Sequence, residues 1–248
     1  GAAAGAPGAG WGPGLSVKAP LRSGRDDAAM HLHPYRSEAP DPSPREALRL
    51  APPGVGGTGA AVRLRRHPIG DPDRAAVERF VSTLYARRYG ARVPSWAPEL
   101  VSVSLDGEIV AAAGWRPGTG PLYLERYLDE PIERRIARSA GIPAPDRARI
   151  VEVGHLGAAR PGEGLRLMRR LGVLLAGLGY RWVASTATPG VRVSFERIGV
   201  RMFALAPATI EAAGPHAAAW GRYYERGPTV VAGELAPNLA RVARRGAR

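Results

Sequence analysis

A strand, a glycine-bearing loop and a basic helix are predicted in direct succession within residues 149–170, RIVEVGHLGAARPGEGLRLMRR. The β-branched run predicts the strand, and the apolar residues after Gly164 recur at helical spacing. The first N–H groups of such a helix lack partners and carry the positive end of its dipole, and Gly162 and Gly164 let an anion approach that backbone. The segment therefore predicts an anion site, to which four arginines add charge: Arg160, Arg166, Arg169 and Arg170. A tight turn without a ligand is the alternative interpretation.

Glycine and proline divide the chain into an arm and a foldable part. Many of the 32 glycines and 24 prolines fall within residues 1–60, and we expect this arm to be disordered. Residues 1–29, upstream of Met30, lack the continuous apolar stretch of a signal peptide, and we interpret them as a start-site artefact or an expression remnant. Residues 61–236 are expected to form one domain and residues 237–248 a basic tail. No run reaches the length of a membrane span, and we expect a cytoplasmic protein.

Charge and cysteine content limit the chemistry. The 248 residues include 35 Lys+Arg against 22 Asp+Glu, and the net charge of +13 favours anionic partners. This charge is dispersed and has no aromatic stripe interleaved with it, which argues against nucleic acid and for only weak membrane association. Without cysteine, disulfides, thiolate metal sites and cysteine nucleophiles are excluded. The five histidines are scattered, so we expect no metal site, and we find no Ser-His-Asp order typical of a hydrolase.

Periodicity predicts an alternation of strands and helices from residue 61 onwards. Asp106 and Gly107 between two apolar runs predict a two-residue hairpin turn, and Gly90 and Gly199 are predicted to end helices. Such an order predicts an α/β fold with a mixed sheet flanked by helices. The predicted strands are 61–67, 99–105, 108–115, 149–156, 180–187, 200–205 and 229–233, and the predicted helices are 75–89, 122–140 with a break at Pro131, 165–178, 191–198 and 216–224.

The loop at the start of the basic helix, from Ala159 to Gly164, resembles the acyl-coenzyme A pyrophosphate loop of the GNAT N-acetyltransferases, whose pattern is Q/R-x-x-G-x-G/A. The order of elements also resembles the GNAT fold, with one extra helical block between the third and fourth strands. This resemblance implies an acyl thioester, from acyl-CoA or an acyl carrier protein, as co-substrate and no permanently bound cofactor. The donor would then be held by Leu156, Gly157, Ala159, Arg160, Gly162, Gly164 and Leu165.

Five ordered blocks resemble the thermostable hemolysin family, which is similar to GNAT enzymes and to acyl-homoserine-lactone synthases. The blocks are LYLERYLDEPIE (122–133), RIVEVGHLGAARPG (149–162), GYRWVASTAT (179–188), SFERIGV (194–200) and WGRYYERGPTVVAGEL (220–235). The chain departs from the family at His155, where asparagine is usual. That change replaces a neutral amide with a group that can titrate near neutral pH.

Two residues of the strand before the loop are candidate general bases. Glu152 is a carboxylate on an apolar strand, where burial would raise its pKa towards neutrality. The alternative is an ion pair with Arg116 or Arg149. His155 ends the same strand, where α/β sheets present ligands, and its alternative is a packed histidine bonded to a backbone carbonyl.

Further candidates follow from the family blocks. Glu125 could hold an amine or form ion pairs, and Tyr127 and Leu128 could line an acyl or acceptor pocket. Many GNAT enzymes place a tyrosine general acid where this chain has Phe195, which cannot donate a proton. Tyr223 is the proposed substitute, with Tyr224 beside it.

The favoured function is acyl transfer from a thioester of coenzyme A or a carrier protein to an amine, without a covalent enzyme intermediate. The block 122–140 is apolar enough to line a tunnel for an acyl chain longer than acetyl. The alternatives are a membrane-active toxin, as the family name implies, and a GNAT-like module that binds a ligand without catalysis.

Overall fold

A computed structural model describes residues 62–246, which form seven strands and five α-helices. The expected arm, residues 1–60, and the last two residues lie outside this range. In chain order the elements are β1 (Val62–Pro68), α1 (Arg74–Tyr89), β2 (Glu99–Leu105), β3 (Glu108–Pro117), α2 (Ile132–Ala140), β4 (Ile150–Ala158), α3 (Glu163–Gly177), β5 (Trp182–Ala187), α4 (Pro189–Arg197), β6 (Phe203–Pro207), β7 (Thr229–Glu234) and α5 (Leu235–Gly246). Within residues 62–246, no helix combines the length and the apolar character needed to cross a membrane.

Several turns and helix ends that short sequence motifs predicted are present in the structure. Asp106 and Gly107 have φ of 49° and 85°, the left-handed pair of a tight hairpin turn between β2 and β3. Gly90, with φ of 67°, ends α1. The block 122–140 differs, because Tyr123–Tyr127 forms a 3-10 turn and the α-helix starts only after Pro131. The predicted helix at 216–224 is also replaced by 3-10 turns, Glu211–Trp220 and Tyr224–Arg226.

The strands form one mixed sheet in the order β1-β2-β3-β4-β5-β7-β6. β4 and β5 are parallel, and every other neighbouring pair is antiparallel. The parallel pairing stops at Val153 and Ser185. Beyond these two residues β4 stays paired with β3, and β5 stays paired with β7. The two central strands therefore diverge and leave a gap in the sheet.

A bulge in β4 lies directly after the last parallel pair. Gly154 pairs with Gly114 and Gly157 pairs with Ala112, so two residues of β4 face a single residue of β3. The first of the two, His155, has φ of 53°, in the left-handed region that non-glycine residues seldom adopt. This bulge bends β4 where the gap begins.

Apolar residues pack on both faces of the sheet. On one face the inward side of α3 covers β3 and β4 through Leu167, Leu171 and Leu175. On the other face Ile132 and Ile136 of α2 pack beside the central strands, and the N-terminal half of α1 covers β2 and β3. Each fully buried side chain of this size contributes about 1.5–3 kcal/mol relative to exposure.

The C-terminal helix α5 continues the chain directly from β7. Residues 237–246, which the sequence assigned to a separate basic tail, belong to this helix. The Asn238 side chain accepts a hydrogen bond from the Arg201 amide at 2.8 Å and donates one to the Arg201 carbonyl at 2.9 Å. These two bonds hold α5 against the loop before β6.

A buried serine, histidine and aspartate form a hydrogen-bonded chain at the β1–β2 edge, an arrangement that we did not find from the sequence. His67 Nε2 lies 2.9 Å from Ser102 Oγ, and His67 Nδ1 lies 3.0 Å from Asp71 Oδ1. His67 is 3 % exposed and Ser102 2 %, so no substrate can reach the serine oxygen in this state. We interpret the three residues as a satisfied polar network that joins β1 and β2 to the turn before α1.

Replacing Ser102 by alanine should destabilise the fold, because His67 then keeps a buried nitrogen without a partner. We expect the free energy of unfolding to fall by about 1–3 kcal/mol. Urea denaturation would measure the change, with Ser104→Ala on the same strand but at a less buried position as the matched control. Equal effects of the two substitutions would contradict the role given to the network.

Candidate active site

A cleft opens where β4 and β5 diverge and encloses about 850 Å³, part of it open to solvent. β4 contributes the run from Glu152 to Leu156, and the end of β5 contributes Ser185 and Thr186. The remaining walls come from α1, the loop before β2, the end of β3, the 3-10 turn after Leu122, the start of α4 and the segment before β7. The cleft therefore joins elements from several distant parts of the sequence.

Aromatic side chains make up much of the cleft wall. Six tyrosines and one tryptophan line it: Tyr85, Tyr89, Tyr123, Tyr127, Tyr223, Tyr224 and Trp220. Tyr127 and Tyr224 share a hydrogen bond between their hydroxyls at 2.6 Å, and Trp220 donates to the Tyr123 hydroxyl at 2.9 Å. These bonds tie the walls to one another.

Glu152 lies in the cleft with its carboxylate held by the backbone. The amide of Tyr123 donates to one oxygen at 2.6 Å and the amide of Leu124 to the other at 3.1 Å. Arg116, its cross-strand neighbour, approaches it at 3.6 Å. Burial raises the pKa of Glu152 to about 7, although Arg116 and the two amides favour the ionised form. A carboxyl with this pKa can accept a proton near neutral pH.

His155 also lines the cleft but is held as a packed residue. Its Nε2 lies 3.0 Å from the Ser95 carbonyl oxygen, which only accepts, so Nε2 carries the proton. The ring stacks on Trp96 with centroids 5.0 Å apart. Nδ1 is buried and has no hydrogen-bond partner among residues 62–246. Burial lowers the pKa of His155 to about 4, so the ring is neutral at pH 7. This geometry matches the packed-histidine alternative, in which one ring nitrogen is bonded to a backbone carbonyl.

Glu125 lies outside the cleft lining. Arg147 donates to its two carboxylate oxygens at 2.6 and 2.7 Å, and the amides of Ile132 and Leu122 donate to them as well. Burial opposes ionisation of Glu125, but the bonds from Arg147 and the amides outweigh it and lower its pKa. Arg147 also pairs with Glu133 at 2.8 Å. Glu125 is thus committed to holding the 122–132 segment rather than an amine.

The other candidate substrate residues divide between cleft and core. Tyr127 lines the cleft, whereas Leu128 packs against the apolar cluster behind it. Tyr223 lines the cleft and donates its hydroxyl hydrogen to the Thr186 carbonyl at 3.2 Å. Burial raises the pKa of Tyr223 well above its usual value. Its hydroxyl hydrogen is therefore directed at that carbonyl in this structure.

The loop expected to hold the donor is largely exposed, and part of the positive charge around it is already paired. Gly162 has φ of 85° and precedes the first residue of α3, as the predicted turn requires. Arg160 pairs with Glu108 at 2.5 Å, and Arg166 pairs with Glu163 at 3.2 Å. The amide of Leu165 donates to the Gly162 carbonyl at 3.1 Å. Two of the four arginines in this segment thus already face acids.

Two glycines near this loop have packing reasons as well. A Cβ on Gly157 would lie 2.8 Å from the end of the Leu84 side chain of α1, so that side chain would have to shift if another residue replaced the glycine. A Cβ on Gly164 would lie 3.5 Å from the Ala158 side chain, an ordinary contact. Ala159, beside them, is exposed.

An apolar cavity of about 720 Å³ lies on the α3 side of the same gap. It is bordered by α3, α4 and α5, with Phe195, Leu239 and Val242 among its walls, and part of it is open to solvent. It shares Val153, Leu156 and Ser185 with the cleft, so the two spaces meet where the strands diverge. No residue of the block 122–140, which the sequence proposed as a tunnel lining, is among the walls of this cavity. Leu124, Ile132 and Ile136 are buried in a core on the opposite face of the sheet.

Several cleft residues were not proposed from the sequence as site residues, and Arg116, Thr186 and Thr188 are among them. Arg116 was considered only as a partner for Glu152, since its position depends on the β3–β4 register. Thr186 and Thr188 have buried hydroxyl oxygens with no hydrogen-bond partner among the described residues. No group of three His, Asp or Glu side chains within residues 62–246 could hold a metal ion.

Comparison with solved structures identifies the fold. The CoA-dependent acyl-homoserine lactone synthase BjaI, with SAM and isopentyl-CoA, is 14 % identical over 75 % of this chain and 89 % of its own, with a TM-score of 0.53. FeeM, an N-acyl amino acid synthase from uncultured soil microbes, is 12 % identical over 78 % of this chain and 100 % of its own, with a TM-score of 0.53. The AHL synthase LasI is 16 % identical over 71 % and 91 %, with a TM-score of 0.50. The GNAT-like fold is thereby confirmed.

Sequence comparison gives the family. No curated protein matches the chain. The family model described as "Thermostable hemolysin" matches residues 67–239, which span the described sheet from the end of β1 into α5. The chain therefore belongs to the thermostable hemolysin family, as the five sequence blocks indicated.

Proposed function

We propose that this protein is an acyltransferase that moves an acyl group from a thioester to an amine. The observation that supports this most is the meeting of an apolar cavity and a polar cleft at the gap between β4 and β5. A thioester placed at the gap could direct its chain into the cavity and receive an amine from the cleft. The fold is shared with acyl-homoserine lactone and N-acyl amino acid synthases, which is consistent with that chemistry.

Glu152 is the proposed general base. The amine nitrogen attacks the thioester carbonyl, its proton passes to Glu152 directly or through water, and the carbon–sulfur bond breaks to release a thiolate. The bulged backbone at 155–157 is the proposed site for the carbonyl oxygen as it gains negative charge. Since the amine attacks the thioester directly, no covalent enzyme intermediate forms.

Protonation of the leaving thiolate has two candidate routes. Tyr223 donates to a carbonyl, and Phe195 has no proton to give. The Tyr127 and Tyr224 hydroxyls share one hydrogen bond, which leaves one hydroxyl hydrogen of the pair available in the cleft. Alternatively the thiolate leaves without assistance.

The thioester carrier is proposed to be coenzyme A or an acyl carrier protein, with the loop Ala159–Gly164 near its phosphate groups. Leu156, Gly157, Arg160, Gly162 and Leu165 remain the residues proposed to contact it. Both carriers are cytoplasmic, and the proposal places the protein there. A module that binds thioesters without turnover is the alternative that Phe195 favours, and it predicts binding with no thiol release.

The size of the apolar cavity should determine which acyl-chain lengths the protein prefers. We expect the melting temperature to rise with acyl-CoA chain length from acetyl to dodecanoyl, because a ligand bound only to the folded state stabilises it. Leu239→Trp, which adds volume inside the cavity, should move the preference to shorter chains in both melting temperature and thiol release. Leu178→Trp, at an exposed leucine, is the matched control. A preference unchanged by Leu239→Trp would reject the cavity as the acyl site.

Glu152→Gln should lower the transfer rate by about 10²–10⁴-fold. In the native protein the rate should rise with pH through about 7, because the base acts only when Glu152 has lost its proton. That rise should be absent in the variant. Glu125→Gln is the control: loss of its pairing with Arg147 should lower the melting temperature and leave the pH profile in place. An identical pH profile for native protein and Glu152→Gln would exclude Glu152 as the base.

Gly164→Val tests the loop as the contact for the nucleotide part of coenzyme A. A side chain here projects from the first turn of α3 without a forced backbone conformation. We expect the melting-temperature shift from acyl-CoA to shrink, while the shift from acyl-pantetheine, which has no nucleotide, stays the same. Equal shifts in native and variant protein would exclude this loop as the phosphate contact.

A further inference from the structure

Two charged side chains of opposite sign line the cleft. Arg116 is the cation and Glu152 the anion, and His155 is held neutral. The two charges lie side by side on neighbouring strands, 3.6 Å apart. A ligand in the cleft therefore meets a positive and a negative group at the same point.

The guanidinium of Arg116 has most of its donors unused. Its approach to Glu152 is longer than a hydrogen bond, and no other polar contact of this guanidinium occurs within residues 62–246. Its side chain is 20 % exposed, so it is largely removed from water while it borders the cleft. A planar group with five N–H donors in this setting suits a carboxylate.

Two threonine hydroxyls at the end of β5 lie in the same cleft. The Oγ1 atoms of Thr186 and Thr188 are buried and have no hydrogen-bond partner in the described part of the chain. Thr188 is 5 % exposed. Buried hydroxyls are ordinarily hydrogen-bonded, so these two are available to a bound polar group.

We propose that the acyl acceptor is an α-amino acid, an assignment that rests on the proposed acyl transfer. Its amino group binds at Glu152 as an ammonium and becomes the attacking amine by losing one proton to water, and the proton released during attack then passes to Glu152. Its carboxylate lies at Arg116, with the threonine hydroxyls as further donors. The acceptor side chain packs against the tyrosine wall. An amine without a carboxylate would cover Arg116 and leave a desolvated charge unpaired, which opposes its binding.

Melting temperatures test this assignment without turnover. The protein is combined with each of the twenty L-amino acids and with the amines obtained by removing their carboxylates, with and without S-octyl-CoA, a thioether that cannot transfer its chain. We expect at least one amino acid to raise the melting temperature while its decarboxylated amine does not. No shift from any amino acid, or an equal shift from the matching amine, would overturn the proposal.

Arg116 variants locate the carboxylate contact. Arg116→Gln should weaken binding of the amino acid by about tenfold or more and leave binding of the amine unchanged. Arg116→Lys keeps the charge without the planar donor pair and should fall between native protein and Arg116→Gln. Arg138→Gln, which removes an exposed arginine paired with Asp129 and Glu130, is the control. If Arg116→Gln fails to fold, the difference between amino acid and amine in the native protein, and its decrease in Arg116→Lys, still test the carboxylate contact.

Failure of this assignment is separable from failure of the proposed function. Thiol release with amines lacking a carboxylate, but not with amino acids, would keep acyl transfer and overturn the amino acid acceptor. Absence of thiol release from acyl-CoA or acyl carrier protein with every acceptor would overturn acyl transfer, while amino acid binding would stand on the melting temperatures.

Discussion

The parallel pairing of β4 and β5 stops at Val153 and Ser185, and both cavities depend on that interruption. Ending a ladder in the middle of a sheet removes inter-strand hydrogen bonds, which is costly where water is excluded. Each diverging strand keeps its antiparallel neighbour on the outer side, β3 for β4 and β7 for β5. Half of the pairing therefore remains for each strand, and the gap persists in a folded sheet.

The bulge at His155 directs β4 away from β5, and packing holds it there. The ring of His155 is fixed between Trp96 and the Ser95 carbonyl. Gly157 leaves space for the Leu84 side chain of α1. His155 is thus placed to shape the backbone of the proposed oxyanion site. Backbone strain at such a position is typical of functional sites.

The segment that carries Trp220, Tyr223 and Tyr224 is fixed to the C-terminal end of α1 by backbone hydrogen bonds. The Arg222 amide donates to the Tyr89 carbonyl at 2.8 Å and the Arg92 amide to the Ala219 carbonyl at 2.7 Å. Gly221, with φ of 51°, passes so close that a Cβ would lie 2.3 Å from the Tyr89 oxygen. The aromatic wall is therefore part of the fold, and its rings keep their spacing through mutual hydrogen bonds.

Features with a local cause were predictable from the sequence. The Asp106–Gly107 turn and the end of α1 at Gly90 depend on neighbouring residues alone. The pairing of Arg116 with Glu152 depends on strand register across the sheet, which no short segment contains. For the same reason Glu125 was proposed for substrate when its carboxylate in fact faces Arg147, twenty-two positions away.

Because of the position of α5, residues that shape the apolar cavity and residues that place the charges of the cleft can change independently in evolution. The inward residues of α5, Leu239 and Val242, border the apolar cavity, while the cleft draws its charges from β3 and β4. Substitutions in α5 can therefore reshape the apolar cavity without disturbing the β3–β4 register that places Arg116 and Glu152 in the cleft. If the cavity holds the acyl chain and the cleft holds the acceptor, as proposed, related proteins could change their acyl-chain preference through the C-terminal helix while they retain the same acceptor.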